Sequence, residues 1–184
     1  HVVTRRQRQM CIRDSAGTQS ADGYEFDLVY SPTESIDLSI SGLFMDSLYD
    51  SYVGAAPGDL SGTVPSNTPD DTISSTITWN YNISGWDSFF RISHLYSSEA
   101  KLLENPAHQA LLVAQGNGFR KQDTLNFTAG FVKDNLSVTL WGKNINDDEF
   151  LTSAFIAVAD LSETSFFGYP NNYKTYGLTL NYSF

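Results

Sequence analysis

The chain has 184 residues, 41% hydrophobic, 14% aromatic and 17% charged, which sets it apart from disordered compositions and gives it apolar surface to bury. Its net charge of -10 argues against a nucleic-acid partner, which requires a basic stripe, and its one cysteine, Cys11, excludes a disulfide framework or a thiolate metal cluster. No stretch approaches the ~20 consecutive apolar residues of a membrane helix, but a β-barrel stays open because its strands need only about 10 residues of alternating polarity.

The chain begins with a segment unlike the rest. "RQRQMCIRDS" is basic and non-periodic, it has no apolar core of a signal peptide, and it holds the cysteine. It resembles the translation of a transposon-type sequencing adapter, since ATG-TGT-ATA-AGA-GAC-AG followed by a pyrimidine encodes Met-Cys-Ile-Arg-Asp-Ser. Residues 1–15 are therefore expected to be a library scar outside the fold. Residues 16–184 are expected to be native sequence.

From Asp22 onward the dominant period is two. In "DGYEFDLVYS", Tyr24, Phe26, Leu28 and Tyr30 share one face. A tight turn over Pro32–Ser35 leads into a long strand from Ile36 to about Asp50, with Leu38, Ile40 and Phe44 on one side. Gly42 within it marks a bend or a close approach. A Gly/Pro/Ser-rich loop comes next, and then "TISSTITWNY" sets Ile73, Ile77, Trp79 and Tyr81 against Thr and Ser. After a turn at Asn82–Gly85, "WDSFFRISHLYSS" aligns Phe90, Ile92 and Tyr96. A second long insert, from about Ser98 to Gln122, carries a turn or two of helix interrupted by Pro106. "DTLNFTAGFV" then aligns Leu125, Phe127, Ala129 and Phe131, and the turn Lys133-Asp134-Asn135 leads to "LSVTLWGKN". A third long loop is expected from about Leu151 to Asn172. The last strand places Tyr176, Leu178, Leu180, Tyr182 and Phe184 on one face.

Seven strands result, joined alternately by short turns and long loops. In an up-and-down meander this gathers the short turns at one end and the long loops at the other, as in outer-membrane barrels. A soluble β-sandwich also alternates, with its apolar side inward. Strands of ten residues or more, Tyr and Trp near strand ends and a chain that stops inside a strand favour the membrane. Seven strands leave unpaired edges that lipid does not tolerate, so the predicted object is part of a larger barrel.

The segments "VPSNTPDDTISSTITWNY", "LNFTAGFVKDNLSVTLWGKNINDDEFL" and "YGLTLNYSF" resemble the last strands of TonB-dependent outer-membrane receptors. The matching positions are Asn67-Thr68-Pro69; then Trp141, Lys143, Asn144, Ile145, Asp147, Glu149 and Phe150; then Phe184. The resemblance covers roughly residues 20–184. It implies an all-β antiparallel transmembrane barrel of about 22 strands with a plugged lumen, of which the chain holds the last ~7. It further implies the outer membrane of a Gram-negative bacterium, with membrane lipid, a plug domain and the TonB energy-transducing complex as partners. Uptake of a large scarce solute (a ferric siderophore, a cobalamin-like cofactor or an oligosaccharide) is the expected function. Tyr176, Leu178, Leu180, Tyr182 and Phe184 would form the C-terminal insertion signal, making Phe184 the true end and the other terminus the cut one. A smaller barrel acting as passive channel or adhesin, and a soluble carbohydrate-binding sandwich, are the rival readings.

No residue pattern supports catalysis or a resident cofactor. Asp147, Asp148 and Glu149 lack the offsets and the glycine of a calcium loop. His94 and His108 have no second ligand at metal spacing. "QGNGFRK" precedes a strand, so it is no phosphate cradle. Four Asn-x-Ser/Thr sequons, at Asn82, Asn126, Asn135 and Asn181, carry no weight in a Ser/Thr-rich β protein. In the last loop, Phe166, Phe167 and Tyr169 are candidates for stacking on a ring of the ligand, or for packing that loop.

Overall fold

Period-two alternation gives each strand one apolar and one polar side, and pairing decides whether those sides line up. In the computed structural model, which describes residues 3–5, 17–53, 58–157 and 164–184, they do. The elements are β1 (Val3–Arg5), β2 (Thr18–Thr33), β3 (Ile36–Ser51), β4 (Asp71–Ile83), β5 (Trp86–Lys101), α1 (Pro106–Ala114), β6 (Phe119–Lys133), β7 (Leu136–Lys143), β8 (Leu151–Ile156), β9 (Phe166–Pro170) and β10 (Thr175–Tyr182). One antiparallel sheet takes the order β1-β2-β3-β4-β5-β6-β7-β10, and β8 and β9 form a separate hairpin. The seven predicted strands are β2 to β7 and β10, and β2, β3 and β5 each reach 16 residues.

The register joins the apolar sides of all seven. Tyr30, Leu38, Ile77, Ile92, Phe127, Gly142 and Tyr176 are successive partners in one row across the sheet. On the opposite face runs a second row: Asp37, Thr78, Arg91, Thr128, Trp141 and Gly177. A one-residue slip at any pair would interchange the faces beyond it. The short turns fall at one end, and at Ser84-Gly85 both central residues are left-handed (φ 51° and 79°), the type I′ geometry that suits strand twist.

The buried hydrophobic residues are few and lie away from the middle of the sheet: Leu60, Ala100, Leu102, Leu112, Ala154 and Ala157. The apolar face itself is uncovered, with Trp79 51%, Leu178 58% and Leu180 64% exposed. A soluble sandwich would bury that face against a second sheet.

Three differences from the sequence reading have physical causes. Pro106 opens α1 instead of interrupting it: a helix's first residue has no amide partner to lose, and the Asn105 carboxamide oxygen caps the amides of Ala107 and His108 at 2.9 and 3.4 Å. The third long loop contains the β8–β9 hairpin, whose partners are brought together across the loop. Finally, Val3–Arg5, inside the segment set aside as a scar, pairs with Glu25–Asp27 on the outer edge of β2. An open edge offers its amides to any extended segment within reach.

Gly42 is a close approach, as its place in a strand suggested. A Cβ there would lie 2.2 Å from the ring of its partner Phe26. Gly142 is crowded from two sides, because the rings of Phe127 and Tyr176 converge on it from both neighbouring strands, where a Cβ would meet them at 2.4 and 2.8 Å. Gly142→Val has a strand-favouring side chain but displaces both rings. It is expected to destabilise the barrel that contains this segment by about 1–3 kcal/mol, read as a lower urea midpoint in a lipid or detergent refolding titration.

Candidate functional site

β6 outlasts β7 at the loop end of the sheet. The β6–β7 ladder stops at Phe127–Gly142, while β6 continues to Phe119, so the backbone of residues 123–125 needs other partners. The segment after Trp141 supplies them. Asn146 Oδ1 accepts from the Leu125 amide at 2.9 Å and the Leu125 carbonyl accepts from the Ile145 amide at 2.8 Å, while Asp148 Oδ2 accepts from the Asp123 amide at 2.7 Å. Short side chains and one backbone amide thereby stand in for the missing ladder.

Asn144 centres this knot. It is 3% exposed and left-handed (φ 50°), a conformation Asn tolerates better than other side-chain-bearing residues. Its amide donates to Asn126 Oδ1 at 2.9 Å, and its carboxamide nitrogen donates to the carbonyls of Asp148 and Asn172 at 2.8 and 3.0 Å. Its carboxamide oxygen accepts from the Asp148 amide at 2.8 Å. Asn171 closes the other side, donating to the Asp148 carbonyl and accepting from the Phe150 amide.

The remaining motif residues surround this core. Asp147 forms an ion pair with Lys174 at 3.1 Å, and Glu149 is exposed. Trp141 lies on the polar face, where its indole N–H donates to Thr179 Oγ1 at 3.3 Å and the Lys143 ammonium stands 5.5 Å from its ring. Asp147 and Asp148 are thus engaged in the turn, and the described residues contain no group of His, Cys, Asp and Glu able to hold a metal ion.

Beside the knot the polar face opens into a groove of about 510 Å³. Arg120, Gln122, Thr124 and Asn126 along β6 form one wall; Lys143 and Asn144 form its floor, and Phe150, Asn171 and Asn172 approach from the hairpin side. Two cations and several amides face it without a carboxylate among them. Arg120 Nε is buried with no hydrogen-bond partner among the described residues. Sequence reading missed this site because Arg120 and Lys143 have no motif in common and come to line one groove only in the folded chain.

Above the groove the loops form one body. Leu102 and Leu112 pack with Ala154, flanked by Leu103, Leu151 and Phe166. Gln115 bridges to the Thr164 carbonyl at 3.2 Å, and the first long loop is tied in through the Ser66 amide on Glu104 Oε2 at 2.8 Å and the Asn67 amide on the Lys101 carbonyl at 2.8 Å. Asp59 in that first loop is held below the usual carboxylate range by the Ser61 hydroxyl and amide.

The three loop aromatics separate. Phe166 packs against the loop core, whereas Phe167 and Tyr169 lie exposed on the other side of the hairpin. Phe155, not singled out from the sequence, joins them, its ring 5.5 Å from Phe167 and 5.7 Å from Tyr169. Along β10, from the loop end toward the short turns, Tyr176, Leu178, Leu180 and Tyr182 stand exposed on the apolar face, and Phe184 sits edge-on to Tyr182 at 5.2 Å.

No protein-family model and no curated protein matches the chain. Solved structures do. The ferric yersiniabactin uptake receptor FyuA from Yersinia pestis matches with a TM-score of 0.71 at 14% identity, over 92% of this chain and 24% of that one. The siderophore receptor PiuA from Acinetobacter baumannii matches with a TM-score of 0.63 at 15% identity, over 90% of this chain and 22% of that one. The chain therefore spans about a quarter of the length of the structures it resembles. At such low identity the likeness speaks for the fold alone: the antiparallel sheet of this chain has the architecture of a segment of these two siderophore receptors.

Proposed function

We propose that the chain is the C-terminal part of the barrel of a TonB-dependent outer-membrane receptor, a transporter rather than an enzyme, which takes up a large scarce solute. The observation that carries this reading is the apolar row continued across seven strands and left uncovered, backed by a polar row on the other face. Lipid is the medium that stabilises the first, and a wet lumen the second. The likeness to two siderophore receptors supports it. On this reading a plug domain and the TonB contact belong to the rest of the protein, and Tyr176 to Phe184 form the insertion signal.

The groove narrows the solute. Arg120 and Lys143, with carboxamides around them and no acid opposite, suit an anionic, oxygen-rich ligand such as a ferric chelate better than a neutral oligosaccharide. The buried Arg120 Nε gains a partner when such a ligand enters. The exposed Phe155, Phe167 and Tyr169 offer a stacking surface nearby in the same loop cluster.

Genomic sequence recovered upstream should replace residues 1–15 with further barrel strands preceded by a plug-like domain; an uninterrupted natural frame encoding "RQRQMCIRDS", or a gene that starts a few strands earlier, contradicts this. Expressed alone, the 184-residue chain should need detergent or lipid and aggregate through its open edges without them, whereas a cooperative soluble monomer would restore the sandwich. In the intact receptor, Arg120→Gln should weaken binding of anionic ferric chelates by about 10-fold and leave neutral chelates unaffected, measured by equilibrium titration.

A further inference from the structure

The "QGNGFRK" segment, which is no phosphate cradle, carries a different chemistry. It joins α1 to β6 and holds the chain's only Asn-Gly pair, Asn117-Gly118. Packing imposes that pair. Gly116 is left-handed (φ 86°); its amide donates to the Val113 carbonyl at 2.9 Å and the Asn117 amide donates to the Leu112 carbonyl at 3.2 Å, the two bonds that close a helix C-terminus. The chain then brings Gly118 against the last turn of α1, where a Cβ would lie 2.1 Å from Val113 Cγ2 and 2.9 Å from Val113 Cα. A larger residue after Asn117 would have to displace Val113.

The two halves of the pair have unlike surroundings. Asn117 is exposed, its Nδ2 makes one long bond to the Gln115 carbonyl at 3.3 Å, and its Oδ1 has no donor among the described residues. Gly118 is buried, and its carbonyl is fixed by the Leu102 amide at 3.3 Å and by Gln109 Nε2. Its own amide has no acceptor among the described residues. An amide that donates to no carbonyl can lose its proton and turn its nitrogen toward the neighbouring carboxamide carbon, and glycine brings no side chain to shield it. The chain's other acidic or amide residue of this length followed by glycine, Asp22 before Gly23, is locked in the β2–β3 ladder opposite Asp46 and Met45. The rotation that ring closure needs would break strand pairing there.

We infer that Asn117 is a self-modification site, converted by the Gly118 amide to a carboxylate that loosens the end of α1. The Gly118 nitrogen forms a bond to Asn117 Cγ, and Nδ2 leaves as ammonia with the amide proton, giving a cyclic imide. Water then adds at one of the two imide carbonyls and breaks its bond to the ring nitrogen. Cleavage at Cγ leaves aspartate; cleavage at the main-chain carbonyl leaves isoaspartate, whose backbone runs through the side chain and is one methylene longer. Nothing is oxidised or reduced. Either product sets a negative charge at the C-terminal end of α1, the negative end of its dipole, where the last turn has no basic residue. Isoaspartate also lengthens the path between the bond to Leu112 and the bond to Leu102. This chemistry needs only the folded loops and does not depend on what solute is carried.

The test incubates the intact folded protein in mildly alkaline, oxygen-labelled water and follows the tryptic peptide Leu102–Arg120 by mass spectrometry. Asn117 is expected to convert about tenfold faster than any other asparagine, taking up one labelled oxygen, and part of the product should be a substrate for an isoaspartate-specific methyltransferase. Asn117→Gln should stay unconverted over the same period. The loosening is read separately: Asn117→Asp, which sets the charge without the reaction, should raise hydrogen exchange across α1 several-fold over Asn117→Gln. An Asn117 that persists in the folded protein while the unfolded chain converts would overturn the site, because the fold would then be protecting it. Conversion without labelled oxygen would overturn the imide route, and unchanged exchange in Asn117→Asp would overturn the loosening.

Discussion

In-register pairing of alternating strands is the constraint on which the rest of this structure depends. Alternation alone gives each strand two unlike sides; antiparallel pairing without slippage converts seven such strands into a sheet with two unlike surfaces. Tyr30, Leu38, Ile77, Ile92 and Phe127 reach the same side because each is opposite the next. The glycines keep that alignment compact. Gly42 and Gly142 make room for the rings of their partners, so large aromatics lie flat along the sheet instead of pushing neighbouring strands apart. The hydrophobic effect then acts on the whole surface at once, and only a nonpolar surrounding or a second layer can satisfy it.

The loop end obeys a different rule. There the ladder runs out while one strand continues, and its unsatisfied backbone groups dictate the path of the next segment. Ile145, Asn146 and Asp148 answer the amides and carbonyls of β6 while the Asn144 amide donates to the Asn126 carboxamide, and in doing so they turn the chain sharply away from the sheet. The groove is the space this departure leaves behind. Its cations are held at the edge of the departure, Arg120 on the strand that continues and Lys143 at the end of the strand that leaves.

Strands were legible in the sequence because their signal is local. Leu125, Phe127, Ala129 and Phe131 announce a strand by their alternation alone, and Ser84-Gly85 announces a hairpin by its turn chemistry. The β8–β9 hairpin was not legible, because its strands are short, separated by a long connection and stabilised by packing on Leu102 and Leu112 far away in sequence. Phe155 was overlooked for the same reason: its partners Phe167 and Tyr169 come to it through pairing, not spacing. Pro106 misled because a proline stops a helix from the inside and starts one from the outside, and composition does not say which. The "WGKNINDDEF" segment was visible as a pattern, but its work of replacing a ladder is visible only with β6 beside it.

Conformational entropy gives the ties between the loops a further meaning. Glu104 ties the first loop to the second, and Leu112 with Ala154 ties the second to the third, so the ordering cost of all three is met when the barrel folds. Under the proposed function, a solute arriving at the groove would find a surface already arranged and would give up little binding energy to organise it. The same ties make the three loops a single unit of variation. A residue inserted into one of them shifts the supports of any loop tied to it, so under the proposed function recognition would be changed by exchanging side chains on a fixed frame.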